Sequence, residues 1–394
     1  MDHIPEPMTG HRCLTDGKYL YVFGGYDNNK YENGIWFPEK SMIENQIIQD
    51  GNIRTKDDFS WRFEGEIKFH CCYQHGWKLD LTTEIWSKMV NDRTQQFGSA
   101  SGSFDMITEE SSSKEHNVGI YVAGTNFPWH GCKPDVIAVK LDKQSDKLTS
   151  KTIFRMPYKM YGHASCFDHE TQKLYLFGGI AGAADTDIEG DPSNPDFPHN
   201  MVEWSNDFWE LDIHSKTIEK IETESFSVGN IFDNQESYVA RSAPDARMRA
   251  EMVVYDQKVF LLGGNNRTIT FGLDKIDYYD IKLKKWVKDI ATKPEKVEQY
   301  SDFPRARCRF GHAMYKNRYL FIVGGEDLGD STDRLHQDCW RLDLKTLQWN
   351  FVANLPIPTT FMSCALTEEG CLYRKYLIDH TYSLGYSSEY ITDI

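Results

Sequence analysis

Short apolar runs that end in a glycine pair recur along this chain. Residues 19–22 lead into Phe23-Gly24-Gly25, and residues 174–177 into Gly178-Gly179. Residues 259–262 lead into Gly263-Gly264, and residues 319–323 into Gly324-Gly325. Ile120-Tyr121-Val122-Ala123-Gly124 is a fainter copy. Downstream of four of these runs, a segment alternates polar and apolar positions: residues 75–81, 207–213, 275–281 and 338–344. A period of two is the mark of a half-buried strand. In three of the four an aromatic lies six residues beyond the Asp, pairing Asp80 with Trp86, Asp280 with Trp286 and Asp343 with Trp349. The fourth has Ile218 six after Asp212.

This phase predicts a four-stranded sheet as the repeating unit. Strand two ends in Gly-Gly because no Cβ fits there and positive φ is needed. The late Trp on strand four is expected to pack against the next sheet. Sheets repeated radially make a propeller, which keeps its edges short. The apolar strand, Gly-Gly and spaced aromatics resemble the kelch repeat. The expected fold is therefore all-β: a six-bladed kelch β-propeller over residues 1–375, with a divergent tail over 376–394.

Taken in order, the blades differ in completeness. From Gly25 to Trp77 is 52 positions, against 15 from Gly325 to Trp340, so blade one carries a long insertion over residues 27–68. Such a loop is expected to be partly ordered. Blade two, from Arg93, is the most degraded. Blade three has a second long insertion, rich in Asp, Pro and Gly, over residues 184–200. An acidic connection over residues 222–246 precedes blade four. Blade five is the most complete. Blade six opens at Phe361-Met362-Ser363-Cys364, but Arg374-Lys375-Tyr376 stands where the Gly-Gly end belongs, so it is incomplete or atypical.

Composition narrows the function classes. The 394 residues carry a net charge of -15, which argues against nucleic acid as the main partner. No run of about 18 apolar residues marks a membrane span. The first residues lack the apolar centre of a signal peptide. Nine cysteines with no CxxC spacing, several on expected buried strands (Cys166, Cys339, Cys364), suit a reducing cytoplasm or nucleus.

Other segments resemble one kelch group, the kelch domain-containing protein 10 family. They are Gly10-His11-Arg12-Cys13 with residues 20–26, Ile290-Ala291-Thr292-Lys293-Pro294 with residues 303–307, residues 344–349, and residues 356–373. The resemblance implies a substrate receptor of a cullin-2 RING ubiquitin ligase that binds the extreme C-termini of client proteins. It also implies elongin B and elongin C as partners, docked through a C-terminal helical box. Residues 383–394 do not carry that box pattern. The alternative is a kelch scaffold for cytoskeletal or signalling proteins without ligase recruitment.

The candidate chemistry lies in arginines that precede first strands: Arg93, Arg247, Arg249, Arg305, Arg307 and Arg309. A guanidinium offers a planar fork of donors that suits a carboxylate. Together with Tyr161 they are the expected cradle for a peptide carboxylate. The competing reading makes them repeat residues that tie blades together, and the histidines after Gly (His11, His163, His312) are expected to be structural by repeat position. No HExxH, P-loop, GxGxxG or zinc spacing is present, and Gly98-Ser99-Ala100-Ser101-Gly102 fails the nucleophile-elbow pattern. The Tyr/Tyr/His/His set of copper radical oxidases is not evident. Neither catalysis nor a cofactor or metal is expected.

Overall fold

In the computed structural model the described residues are 5, 9–26, 31–32, 35–36, 75–91, 102–107, 116–127, 130–142, 145–182, 203–222, 225–228, 238–241, 243–266, 268–294, 303–328, 335–360, 363–366, 371–375 and 386–390. Among them there are strands and turns and no helix. The chain divides into two compact units. The first comprises Met1–Gly162, Ala181–Glu203 and Thr359–Ile394, and the second His163–Ile180 and Trp204–Pro358.

The second unit holds blades three, four and five, each an antiparallel four-stranded meander. Blade three is Ala164–Asp168, Lys173–Phe177, Phe208–Asp212 and Thr217–Lys220. Blade four is Glu251–Tyr255, Lys258–Leu262, Lys275–Asp280 and Lys285–Ala291. Blade five is Gly311–Tyr315, Tyr319–Val323, Asp338–Asp343 and Gln348–Asn354, with Lys293–Pro294 added parallel to its outer strand. The acidic connection before blade four contains a short hairpin, Ser225–Val228 paired with Tyr238–Arg241.

In the first unit blades one and two are joined in one sheet by parallel pairing of Lys147 with Val90 and Leu148 with Asn91, and a further sheet ends the chain. Blade one is Thr9–Thr15, Tyr19–Tyr26, Gly76–Asp80 and Ile85–Asn91. Blade two is Ser103–Ile107, His116–Val122, His130–Asp142 and Lys147–Tyr161. Of the blade-one insertion only the paired Tyr31–Glu32 and Ile35–Trp36 are described, and the insertion over residues 184–200 lies outside the described residues. The last sheet has three strands, Ser363–Leu366, Cys371–Lys375 and Tyr386–Tyr390. Its third strand falls inside the segment expected to be a divergent tail, and its pairing runs from Cys371 opposite Tyr390 to Lys375 opposite Tyr386. The first and last sheets meet: the Cys13 amide donates to Ser363 Oγ at 2.8 Å, and Ala365 joins Leu20, Val22 and Trp77 in one core cluster.

The glycine pairs do what their position predicts. All eight residues of the four pairs have positive φ, and so do their counterparts Ala123 and Gly124. They also admit the next blade's opening segment. A Cβ on Gly178 would lie 2.4 Å from the Arg247 carbonyl oxygen, and one on Gly263 would lie 2.5 Å from that of Arg307. The amides of Gly179 and Gly264 donate to those same two oxygens, at 2.8 and 3.0 Å.

The interval from Asp to aromatic has an equally local cause. The Asp80 carboxylate accepts the amides of Thr82 and Thr83, and Asp212 accepts those of His214 and Ser215. Asp280 and Asp343 cap their turns in the same way. Four residues after each Asp the backbone is left-handed, at Glu84, Lys216, Lys284 and Leu347. The turn then delivers position six into the sheet. The expected packing direction of that aromatic is corrected. Trp286 of blade four packs on Phe177 and Phe208 of blade three, and Trp349 of blade five clusters with Phe260 and Leu262 of blade four. Each Trp therefore faces the preceding blade, not the next. The Trp349 indole N–H donates to the Leu273 carbonyl at 3.1 Å, and Thr292 Oγ1 donates to the same oxygen at 2.8 Å.

Candidate functional site

The strand registers align the blade openings. Arg309, Arg249, Gly162 and Gly10 occupy one position, two residues before the first strand's partner to the residue that precedes Gly-Gly. All four have positive φ: 54° and 57° at the arginines, 66° and 69° at the glycines. His11 and His163 follow at the next position and are buried. His312 lies two residues later in phase, so it is not their repeat equivalent. Its Nδ1 stands 3.1 Å from the Glu251 carboxylate.

The arginines fall into two classes. Arg247 and Arg307 turn inward within their own blades. Arg307 Nε donates to the Arg305 carbonyl at 3.0 Å, and its Nη1 to the Gly324 carbonyl at 2.9 Å. Its two terminal nitrogens also fork onto the Asp338 carboxylate. Arg247 repeats the scheme with Asp245 O, Gly263 O and Asp277, and its guanidinium carbon lies 3.6 Å from the centre of the Phe271 ring. These two side chains are blade staples, which narrows the expected cradle. Burial shifts the Arg247–Asp277 pair against both charges, lowering the arginine pKa and raising that of the carboxyl. At Asp338 burial pulls upward too, but the Arg307 bonds and charge and the Trp340 N–H outweigh it and hold the carboxyl low.

Arg249 and Arg309 form the second class. The Arg309 amide donates to the Arg249 carbonyl at 3.3 Å, so the two openings touch. Arg309 Nη1 forms an ion pair with Glu326, the residue directly after Gly324-Gly325. Asn265 holds the matching place after Gly263-Gly264 in blade four. Cys308, which bridges Glu326 through the backbone, is fully buried, and its thiol is pushed up to about 12 by burial and by Glu326. Arg305 is exposed. Tyr161 ends the strand Lys147–Tyr161 in the first unit and is half-buried, and Arg93 lies outside the described residues. The residues missed by sequence reasoning are Asp277, Asp338, Glu326 and Asn265. A repeat-internal signal marks the last two. After Gly-Gly, blades one and three have Tyr26 and Ile180, whereas the two blades with Arg at the left-handed position have Asn265 and Glu326.

Sheets of this kind, with Gly-Gly turns and inward arginine staples, define the kelch β-propeller class, and the chain belongs to it. Residues 114–370 match the KLHDC2/KLHL20/DRC7 Kelch-repeats domain. The chain is 25% identical over 375 residues to kelch domain-containing protein 10 of Homo sapiens, covering 94% of this chain and 66% of that protein. It is 27% identical over 379 residues to the Xenopus tropicalis protein, covering 94% and 71%. To the kelch domain-containing protein 10 homolog of Drosophila melanogaster it is 23% identical over 388 residues, covering 94% and 52%. The chain thus spans just under two thirds of the length of its human relative.

Proposed function

We propose that this kelch-repeat protein binds the C-terminal carboxylate of partner proteins, with Arg249 and Arg309 as the principal cations and Arg305 beside them. The observation that carries the reading is backbone geometry. Left-handed φ costs a residue with a Cβ on the order of 1 kcal/mol, and Gly is the relaxed choice. Blades one and three use Gly there, while blades four and five keep Arg in two openings that touch. At this position, where two other blades use the relaxed residue, the retained arginine side chains have a task that offsets the strain. Glu326 orients the Arg309 guanidinium as a second-layer carboxylate orients a ligand-binding group.

The role that goes with this chemistry is client recognition for a cullin-2 ubiquitin ligase, in the cytoplasm or nucleus. It is supported by the likeness to kelch domain-containing protein 10 over most of the chain. The second reading is an interaction scaffold without ligase recruitment, which the kelch-repeat domain over residues 114–370 also allows. Co-purification separates the two: elongin B, elongin C and cullin-2 accompany a receptor and are absent from a scaffold.

The carboxylate reading is tested with a panel of peptides offered as free acid and as C-terminal amide, read by fluorescence polarisation. The acid binds and the amide loses at least tenfold. Arg249→Gly and Arg309→Gly, which restore the residue used in blades one and three, weaken the acid by a similar factor. Equal binding of acid and amide overturns the reading.

A further inference from the structure

Between strands two and three of blades four and five, single antiparallel bridges place Asn265 opposite Thr270 and Glu326 opposite Leu335. The two loops also touch, since the Leu328 amide donates to Thr270 Oγ1 at 3.0 Å. The loops expose Ile269 (51%), Leu328 (39%) and Leu335 (46%). These are three of the seven large exposed hydrophobics among the described residues. Single exposed aliphatics need no explanation, but three on two hydrogen-bonded loops form a patch. The patch is rooted at the site, because Glu326 begins one loop and holds Arg309, while Asn265 begins the other.

Asn265 supplies an independent sign. Its side chain is 3% exposed, and its Oδ1 has no hydrogen-bond partner among the described residues. Its Nδ2 donates to the Asn266 carbonyl at 3.3 Å, and the oxygen is a buried acceptor. A buried acceptor without a donor is unfavourable, and a peptide N–H would satisfy it.

We infer that this loop pair selects aliphatic residues upstream of a bound C-terminal carboxylate. The inference rests on the carboxylate reading above. The occupant is an extended C-terminal segment of a partner protein. Its carboxylate meets Arg249 and Arg309, a backbone N–H near its end donates to Asn265 Oδ1, and alternate side chains lie over Ile269, Leu328 and Leu335. Extended peptides present side chains with period two, so one face meets the patch. Acidic residues at those positions forgo the apolar contact and meet Asp327 beside Leu328.

The test uses the full chain and fluorescein-labelled peptides with a free C-terminal carboxylate, varied to Leu, Ser or Asp at each of the three positions before the last. At one or two alternate positions Leu binds about tenfold more tightly than Ser, and Asp more weakly still. Ile269→Ser and Leu335→Ser each reduce the preference for Leu severalfold. Leu283→Ser, a change at a 60% exposed residue on the blade-four turn, leaves it intact. Replacing the last peptide amide by an ester weakens binding of the unmodified protein about tenfold. If acid is still preferred over amide but Leu and Ser bind alike, the aliphatic surface is overturned while the carboxylate reading stands. If the ester binds as well as the amide-linked peptide, the role of Asn265 is overturned. Loss of the acid preference itself removes both readings.

Discussion

Arg307 has no solvent exposure, and its guanidinium forks onto Asp338, with Nη1 to Oδ1 at 2.7 Å and Nη2 to Oδ2 at 2.9 Å. This pair joins the blade-five opening to its third strand, 31 residues apart. The Arg307 carbonyl reaches back to Gly264 of blade four, so one residue ties two sheets.

Removing either partner strands the other. Arg307→Ala or Asp338→Ala is expected to lower stability by about 3–5 kcal/mol, the usual effect of leaving a buried charge uncompensated. Arg309→Gly relieves a left-handed backbone, which offsets part of the cost of leaving the 9% exposed Glu326 side chain without its cation, and is expected to lose about 1–2 kcal/mol. Urea titrations followed by tryptophan fluorescence would measure both. Equal losses at positions 307 and 309 would contradict the division of the arginines into staples and ligand contacts.

Acid should unfold the protein through particular carboxylates. Arg318 hydrogen bonds hold Asp343 down to about 2, and Asp338 is held below its ordinary value by Arg307 against the pull of burial. A carboxyl depressed in the folded state contributes stability above the unfolded value of about 4 and loses it as pH falls through the folded value. Urea midpoints should therefore fall between about pH 4 and pH 2. Asp277 behaves oppositely, because burial raises it and the folded protein takes up that proton first. Asp338→Asn should flatten the acid limb, and Asp277→Asn should not. A midpoint unchanged down to about pH 2.5 would refute this assignment.

Handedness of the backbone gives a paired prediction. Lys284 is exposed with φ 52° at the blade-four turn, so Lys284→Gly should stabilise by about 0.5–1 kcal/mol. Gly263 has φ 58° and no room, because an added methyl would sit 2.5 Å from the Arg307 carbonyl oxygen. Gly263→Ala should therefore destabilise by more than about 2 kcal/mol. Thermal melts of the two variants should move in opposite directions.

Much of this architecture is legible in the sequence because its causes are local. Gly-Gly marks a left-handed backbone, and Asp with an aromatic six later marks a capped turn. What is not legible depends on partners far along the chain. Arg307 and Arg309 look alike as letters two apart, yet one is turned into its blade by Asp338 and the other is met by Glu326. The packing direction of Trp349 follows from Leu273, 76 residues earlier. The strand Tyr386–Tyr390 has no repeat signature at all, because its pairing with Cys371–Lys375 is made by backbone groups that any sequence supplies. His312 misleads for a simpler reason, since Gly-His recurs there by chance two residues out of phase.

The bond from the Cys13 amide to Ser363 spans 350 positions. During translation, at roughly 5–20 residues per second, Leu20, Val22 and Trp77 emerge on the order of 20 seconds to a minute before Ala365 arrives to cover them. The earliest sheet made is thus among the last to be finished. Until then its apolar face is available to chaperones, or to the same face of another nascent copy.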